Sequence, residues 1–322
     1  PFSHKNRELS PHKLVGVLCN AGLAQEHHPV LTPPFENHAE RLMPDGSFGP
    51  ATDHDDLGLL FRPTVTQVSR WDRLKGFRPL MDGFVELKRK LDDSSVELTE
   101  RHHRRLELVR LILAGPEPSA IQDDPEAVDV LEELSQAYQR LPEKIQKDVI
   151  LLSLPMGSRK ENALMVNSLQ RCSTVVVQNS LQEGFGLTAT EAMWKGVPIV
   201  GTRACGLRQQ IRNGIDGLLI QEASSPAEVV KRLNDVLENV HKRGFMARNA
   251  QQRVSEEFLI FTQMSHWLRA LSSSLRGAGG LLIDRTGNHC DRALLLAKML
   301  EAAGHEARLV RGQMPKQRAA AL

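Results

Sequence analysis

A parallel α/β sheet with helices on both faces is the fold class this sequence predicts, and two observations carry that prediction. From Thr64 onward, short apolar runs alternate with longer amphipathic ones, which is how a sheet built from strand, crossover helix and strand reads. One apolar run is followed by the glycine-bearing turn Glu183-Gly184-Phe185-Gly186-Leu187-Thr188, which passes directly into a helical pattern.

Taken in order, the candidate strands are 64–69, 108–114, 149–154, 174–178, 198–201 and 217–220. The helix after the first strand carries Leu80, Phe84, Leu87 and Leu91 on one face, and 225–239 repeats that spacing with Val229, Leu233 and Val236. Each is expected to cover the sheet with its apolar face. Between Asp92 and Arg105 the chain is charged, and a solvated surface insertion is expected there. Residues 1–63 are rich in proline, histidine and aspartate around one short apolar run at 14–18, and read as a loop-rich interdomain segment. The sequence starts at Pro1 without a methionine, so a longer parent chain is expected. Leu268 and Leu271 close a last helix, after which 272–280 has the small, flexible composition of a linker. The expected organisation is therefore a sheet domain at 64–274, with a linker and short helical tail at 275–322.

Composition narrows the function. Lysine and arginine total 41 against 39 aspartates and glutamates, a balance that gives no reason to expect nucleic acid as a partner. Cys19, Cys172, Cys205 and Cys290 form none of the close pairs of zinc or redox motifs, and read as reduced thiols of a cytoplasmic protein. No apolar run of about 18 residues is present, so no membrane insertion is expected. His27-His28, His54 among aspartates, and His102-His103 are read as solvated loop residues, and no metal site is expected.

The chemistry concentrates at 183–191. Gly184 and Gly186 permit close backbone approach, and the amides of Leu187 and Thr188 open a helix whose positive end suits a phosphate. Glu183 stands at the turn's mouth, where its carboxylate can accept from sugar hydroxyls, and Glu191 lies further along the helix, within reach of a ribose diol. Positive side chains for a diphosphate are offered by Arg70 and Lys75, just past the first strand, at the edge where open α/β sheets bind ligands. A solvated basic loop is the bland alternative for that pair.

Together these segments resemble the donor-binding half of GT-B retaining glycosyltransferases, a Rossmann-like domain. The span from Glu183 to Glu191 matches that family's E-x7-E signature, with Phe185 inside it. Gln67-Val68-Ser69-Arg70-Trp71-Asp72, Gln178-Asn179-Ser180 and Glu191-Ala192-Met193-Trp194-Lys195-Gly196 are similar to the trehalose-synthase subgroup of glycosyltransferase family 4, as is Phe2-Ser3-His4-Lys5-Asn6-Arg7-Glu8-Leu9-Ser10. The resemblance implies that Arg70 and Lys75 hold the donor diphosphate, Glu183 the transferred glucose and Glu191 the ribose, while backbone amides around Gly186, Leu187 and Thr188 cradle phosphate. It implies retaining transfer of glucose from a nucleoside-diphosphate sugar to a sugar acceptor, trehalose being one product, without a cofactor. It also implies a second Rossmann domain, absent from this sequence, to grip the acceptor; without it the chain is expected to bind donor and turn over poorly. A homodimer is among the assemblies allowed. One departure is Cys205, beside Gly206, where the subgroup tends to two adjacent glycines; a narrowed donor pocket is expected from it. Trehalose phosphorylase and an inactive nucleotide-sugar-binding remnant are the alternatives.

The tail is different. Gly287-Asn288-His289-Cys290-Asp291 resembles the start of a transglutaminase-like domain, in which a cysteine opens a helix. The histidine and aspartate that would activate it belong downstream, beyond Leu322, so Cys290 is expected to be idle. An amphipathic helix at 291–303 with a half-buried thiol is the alternative.

Overall fold

A computed structural model describes residues 3–25, 34–53, 55–95, 97–118 and 125–277. The chain divides into two compact units, Pro1–Glu256 and Glu257–Leu322. In the first unit, helix α1 (Pro11–Asn20) precedes strands β1 (Glu40–Leu42) and β2 (Phe48–Pro50). Then follow β3 (Thr64–Val68), α2 (Phe77–Arg89), α3 (Glu100–Leu108), β4 (Arg110–Pro116), α4 (Pro125–Gln139), α5 (Glu143–Gln146) and β5 (Val149–Leu154). The second half holds α6 (Arg159–Cys172), β6 (Val175–Gln178), α7 (Leu187–Trp194), β7 (Ile199–Thr202), α8 (Cys205–Gln210), β8 (Gly217–Ile220), α9 (Pro226–Glu238) and α10 (Val240–Arg253). The second unit contributes α11 (Ile260–Gly277). The tail around Cys290 lies outside the described residues.

The sheet has eight strands in the order β2-β1-β5-β4-β3-β6-β7-β8. From β3 to β8 all neighbours are parallel. The parallel part starts in the middle at β3, steps outward to β4 and β5, then returns to β6 on the other flank and continues to β7 and β8. Strand order thus reverses between β3 and β6, and the loops leaving those two strands diverge and open a crevice at their carboxyl ends.

Burial on both faces explains the near-continuous apolar runs. Leu111, Leu113, Val149 and Leu151 join one core with Leu80 and Phe84 of α2 and Val229 and Leu233 of α9. Their alternates Ile112, Ala114, Ile150 and Leu152 join a second core on the opposite face with Leu18 of α1 and Met165 and Leu169 of α6. The predicted fold class is borne out, and each predicted strand is found within two residues of its expected ends.

Three expectations change. Residues 1–63 hold α1 and a β-hairpin, and β1 pairs antiparallel with β5, so this segment extends the sheet and shares its compact unit. The later division falls after Glu256, ahead of the expected 274. The charged stretch at 92–105 runs into α3, capped by Thr99, in which His102 and Leu106 are buried. His102 is not a loop residue: its Nε2 lies 3.0 Å from Asn234 Oδ1 on α9.

Candidate functional site

The loop after β3 is fixed before its charged residues are reached. Trp71 is fully buried, packs against Phe77 in a tilted arrangement with ring centroids 4.9 Å apart, and donates from Nε1 to the Pro116 carbonyl at the end of β4 (2.8 Å). Asp72 then caps a short 3₁₀ turn, Arg73–Lys75, by accepting from the Leu74 amide at 2.7 Å. A second set of bonds ties this loop to the one after β6. Gln67, buried in β3, donates to the Lys75 carbonyl (2.8 Å) and accepts from the Asn179 amide (2.9 Å), while Asn179 Nδ2 donates to the Gly76 carbonyl (2.9 Å). These bonds between buried amides and backbone tie together the two loops at the strand-order reversal.

That framing brings Lys75 and Glu183 together across 108 positions of sequence: Lys75 Nζ lies 2.7 Å from Glu183 Oε2. Ser180 Oγ is 3.5 Å from the same oxygen. Around the pair lies a cavity of about 270 Å³ lined by Ser69, Arg70, Lys75, Gln178, Glu183, Phe185, Gly186, Leu187 and Thr188. Arg70 reaches over its rim, 62% exposed, with Nη2 3.4 Å from Asp72 Oδ2.

The floor is the amino end of α7. Gly186 is the N-cap at φ +85°, a left-handed conformation that costs a residue with a Cβ, and no side chain caps this helix. Its first turn therefore presents peptide amides and the positive end of the helix dipole to the cavity, beside two cations. A larger concavity of about 590 Å³, between the end of α1 and β2, has neither lysine nor arginine in its lining. Of the two, it is the smaller cavity that has a lysine and an arginine in its lining.

Of the predicted site residues, the structure gathers Arg70, Lys75, Glu183, Phe185, Gly186, Leu187 and Thr188 at one cavity, while Gly184 and Glu191 are not in its lining. Glu191 lies one turn further along α7, with Oε2 3.2 Å from Lys5 Nζ. Cys205 is exposed and also outside the lining, so it does not narrow the cavity. Its neighbour Gly206 is the position that admits nothing larger: a Cβ there would sit 2.6 Å from the carbonyl oxygens of both Gly184 and Phe185. Gly206→Ala is expected to cost about 1–3 kcal/mol by overpacking, read as a lower denaturant midpoint at unchanged slope. Among the described residues no group of three or more His, Cys, Asp or Glu is placed to hold a metal; His27, His28 and His54 lie outside them.

A family profile described as glycosyl transferases group 1 matches residues 59–253. The chain belongs to that family. Trehalose synthase from Thermococcus litoralis is 31% identical to this group 1 chain over 215 residues, covering 66% of it and 44% of that protein. Trehalose phosphorylase from Pleurotus pulmonarius is 26% identical over 214 residues, 66% of this chain and 27% of that one. The group 1 chain thus spans less than half the length of these curated relatives. Among solved structures, Anabaena HepE in complex with UDP and glucose shares the fold at a TM-score of 0.51 and 24% identity, over 67% of this chain and 50% of that one. No helix among the described residues is long and apolar enough to cross a membrane.

Sequence reasoning did not assign Gln67, Asn179 or Gln210 a role. Gln210 donates to the Phe185 carbonyl, fixing the turn from the α8 side. The available signal was a polar amide inside a strand buried along its whole length, at Gln67.

Proposed function

We propose that this chain holds the donor of a retaining hexosyl transfer, in which glucose passes from a nucleoside diphosphate to a sugar acceptor and trehalose forms when the acceptor is glucose. The supporting observation is the convergence of Arg70, Lys75, Glu183 and the amino end of α7 on one cavity at the strand-order reversal. In the transfer, the bond from the anomeric carbon to the phosphate oxygen breaks, a bond to the acceptor hydroxyl forms, and that hydroxyl's proton passes to the departing diphosphate. Negative charge grows on the leaving group. Arg70, Lys75 and the α7 amides stand where it grows and are held there beforehand, which is how fixed dipoles and cations lower such a barrier. No metal is assigned, because these groups supply the positive charge. Before donor enters, Lys75 and Glu183 neutralise one another; a diphosphate takes over Lys75, and Glu183 turns to the sugar hydroxyls. Acceptor contacts are assigned to a further Rossmann domain, and the setting to the cytoplasm.

Calorimetric titration of the chain with UDP, ADP and GDP tests this reading, and at least one is expected to bind below millimolar concentration. Absence of binding by all three removes it. The similarity to trehalose phosphorylases favours a second reading, in which phosphate replaces the nucleotide. Binding of glucose 1-phosphate with no nucleotide would select that one.

A further inference from the structure

The segment ahead of α1 is strapped across α6 and α7 by bonds that the donor site does not use. Asn167, fully buried in α6, donates from Nδ2 to the carbonyls of His4 (2.9 Å) and Arg7 (3.0 Å). Arg171 Nη2 donates to the Arg7 carbonyl at 3.1 Å and lies 3.2 Å from Glu8 Oε2. From α7, Trp194 Nε1 donates to the Asn6 carbonyl at 3.1 Å, and Lys195 Nζ to Asn6 Oδ1 at 3.1 Å. Lys5 sits in the middle of this strap, and its ammonium is held 3.2 Å from Glu191 Oε2.

The geometry distinguishes the two oxygens of Glu191. Oε2 is enclosed and makes no hydrogen bond, so the ion contact with Lys5 is what compensates its burial; the 11% exposure the side chain keeps lies elsewhere on it. Lys195, four residues on, does not fill this role. Its Nζ is committed to Asn6 Oδ1, to Gln170 Oε1 at 2.7 Å and to the Glu191 backbone carbonyl at 3.2 Å. Burial pushes its pKa down to about 7 against the attraction of Glu191. The ammonium paired with the Glu191 carboxylate is that of Lys5.

We propose that Lys5 is a positioning residue for the nucleotide ribose, holding Glu191 by its enclosed oxygen so that the carboxylate is already oriented to accept from the ribose hydroxyls. The inference rests on the donor reading above, in which Glu191 takes the ribose. Its physical basis is preorganisation: a glutamate ordered only on binding loses rotamer freedom at that moment, whereas one pinned beforehand by a strapped lysine does not.

The test is the ratio of dissociation constants for a 2′-deoxynucleoside diphosphate and its ribo form. It is measured by calorimetry on the full chain with UDP, ADP and GDP and their 2′-deoxy counterparts. Wild type is expected to favour the ribo form about tenfold, the effect of a hydrogen bond to a charged group. Glu191→Gln is expected to reduce the preference to about threefold or less, and Lys5→Met to do the same, with Lys5→Arg restoring it. A lysine that merely secured the strap would weaken both nucleotides equally and leave the ratio intact; that result, or a ratio that rises in Lys5→Met, overturns the inference while the donor reading stands. A wild-type ratio of one removes the ribose assignment of Glu191 and this inference together. Absence of nucleotide binding removes the donor reading as well.

Discussion

Replacing Lys75 by methionine is expected to weaken binding of a nucleoside diphosphate about 100-fold, the worth of charge-assisted hydrogen bonds in a partly enclosed site. The loss has two parts. The ammonium that meets the phosphate disappears, and the Glu183 carboxylate, 2.7 Å from it in the structure, is left beside the incoming anion without its partner. Adding Glu183→Gln to Lys75→Met should therefore recover part of the affinity, so that the double variant falls short of the sum of the two single losses. Titration calorimetry at two salt concentrations checks both points. Equal affinities for wild type and Lys75→Met would detach Lys75 from the anion site.

Asp148→Ala is expected to destabilise the fold by about 3–5 kcal/mol, the cost of breaking a buried ion pair from one side. Asp148 precedes β5, with a side chain only 4% exposed, and Lys88 Nζ lies 2.8 Å from its Oδ2. Arg110 Nε approaches the other oxygen at 3.7 Å, and that guanidinium is itself 2% exposed. Lys88 also donates to the carbonyls of Leu106 (2.8 Å) and Glu107 (3.0 Å). Burial already lowers the Lys88 pKa even with Asp148 present. Lys88→Met combined with Asp148→Ala removes the orphaned ammonium and should be less destabilised than additivity predicts. A midpoint shift below about 1 kcal/mol in urea would show that water reaches this cluster.

Most of the six parallel strands were legible because burial on both faces writes them as apolar runs; β3 is equally buried but carries Thr64, Thr66 and Gln67 among its five residues. Strands β1 and β2 were not, since each has three residues; β1 owes its place to pairing with distant β5, and β2 to pairing with β1, not to its own propensity. The hairpin's Asp45-Gly46 turn was its one local mark. Helix α3 was hidden by its charge: of nine residues only His102 and Leu106 are buried, and Arg105 turns its guanidinium to the carbonyls at the end of α9, 132 positions away. At the site, the turn at 183–191 could be read directly because glycines and carboxylates carry their chemistry locally. What was not legible is which groups face each other. The Lys75–Glu183 pair, the Gln67–Asn179 bonds and the Lys5–Glu191 contact all join residues brought together by sheet topology.

The central claim is that a diphosphate lies between the Arg70–Lys75 loop and the first turn of α7. Crystallisation of the chain with the tightest-binding nucleoside diphosphate tests it directly. The account predicts phosphate oxygens within hydrogen-bond distance of the Leu187 and Thr188 amides and of the Arg70 or Lys75 side chain. A diphosphate bound elsewhere, with the Lys75–Glu183 pair still closed, would contradict it.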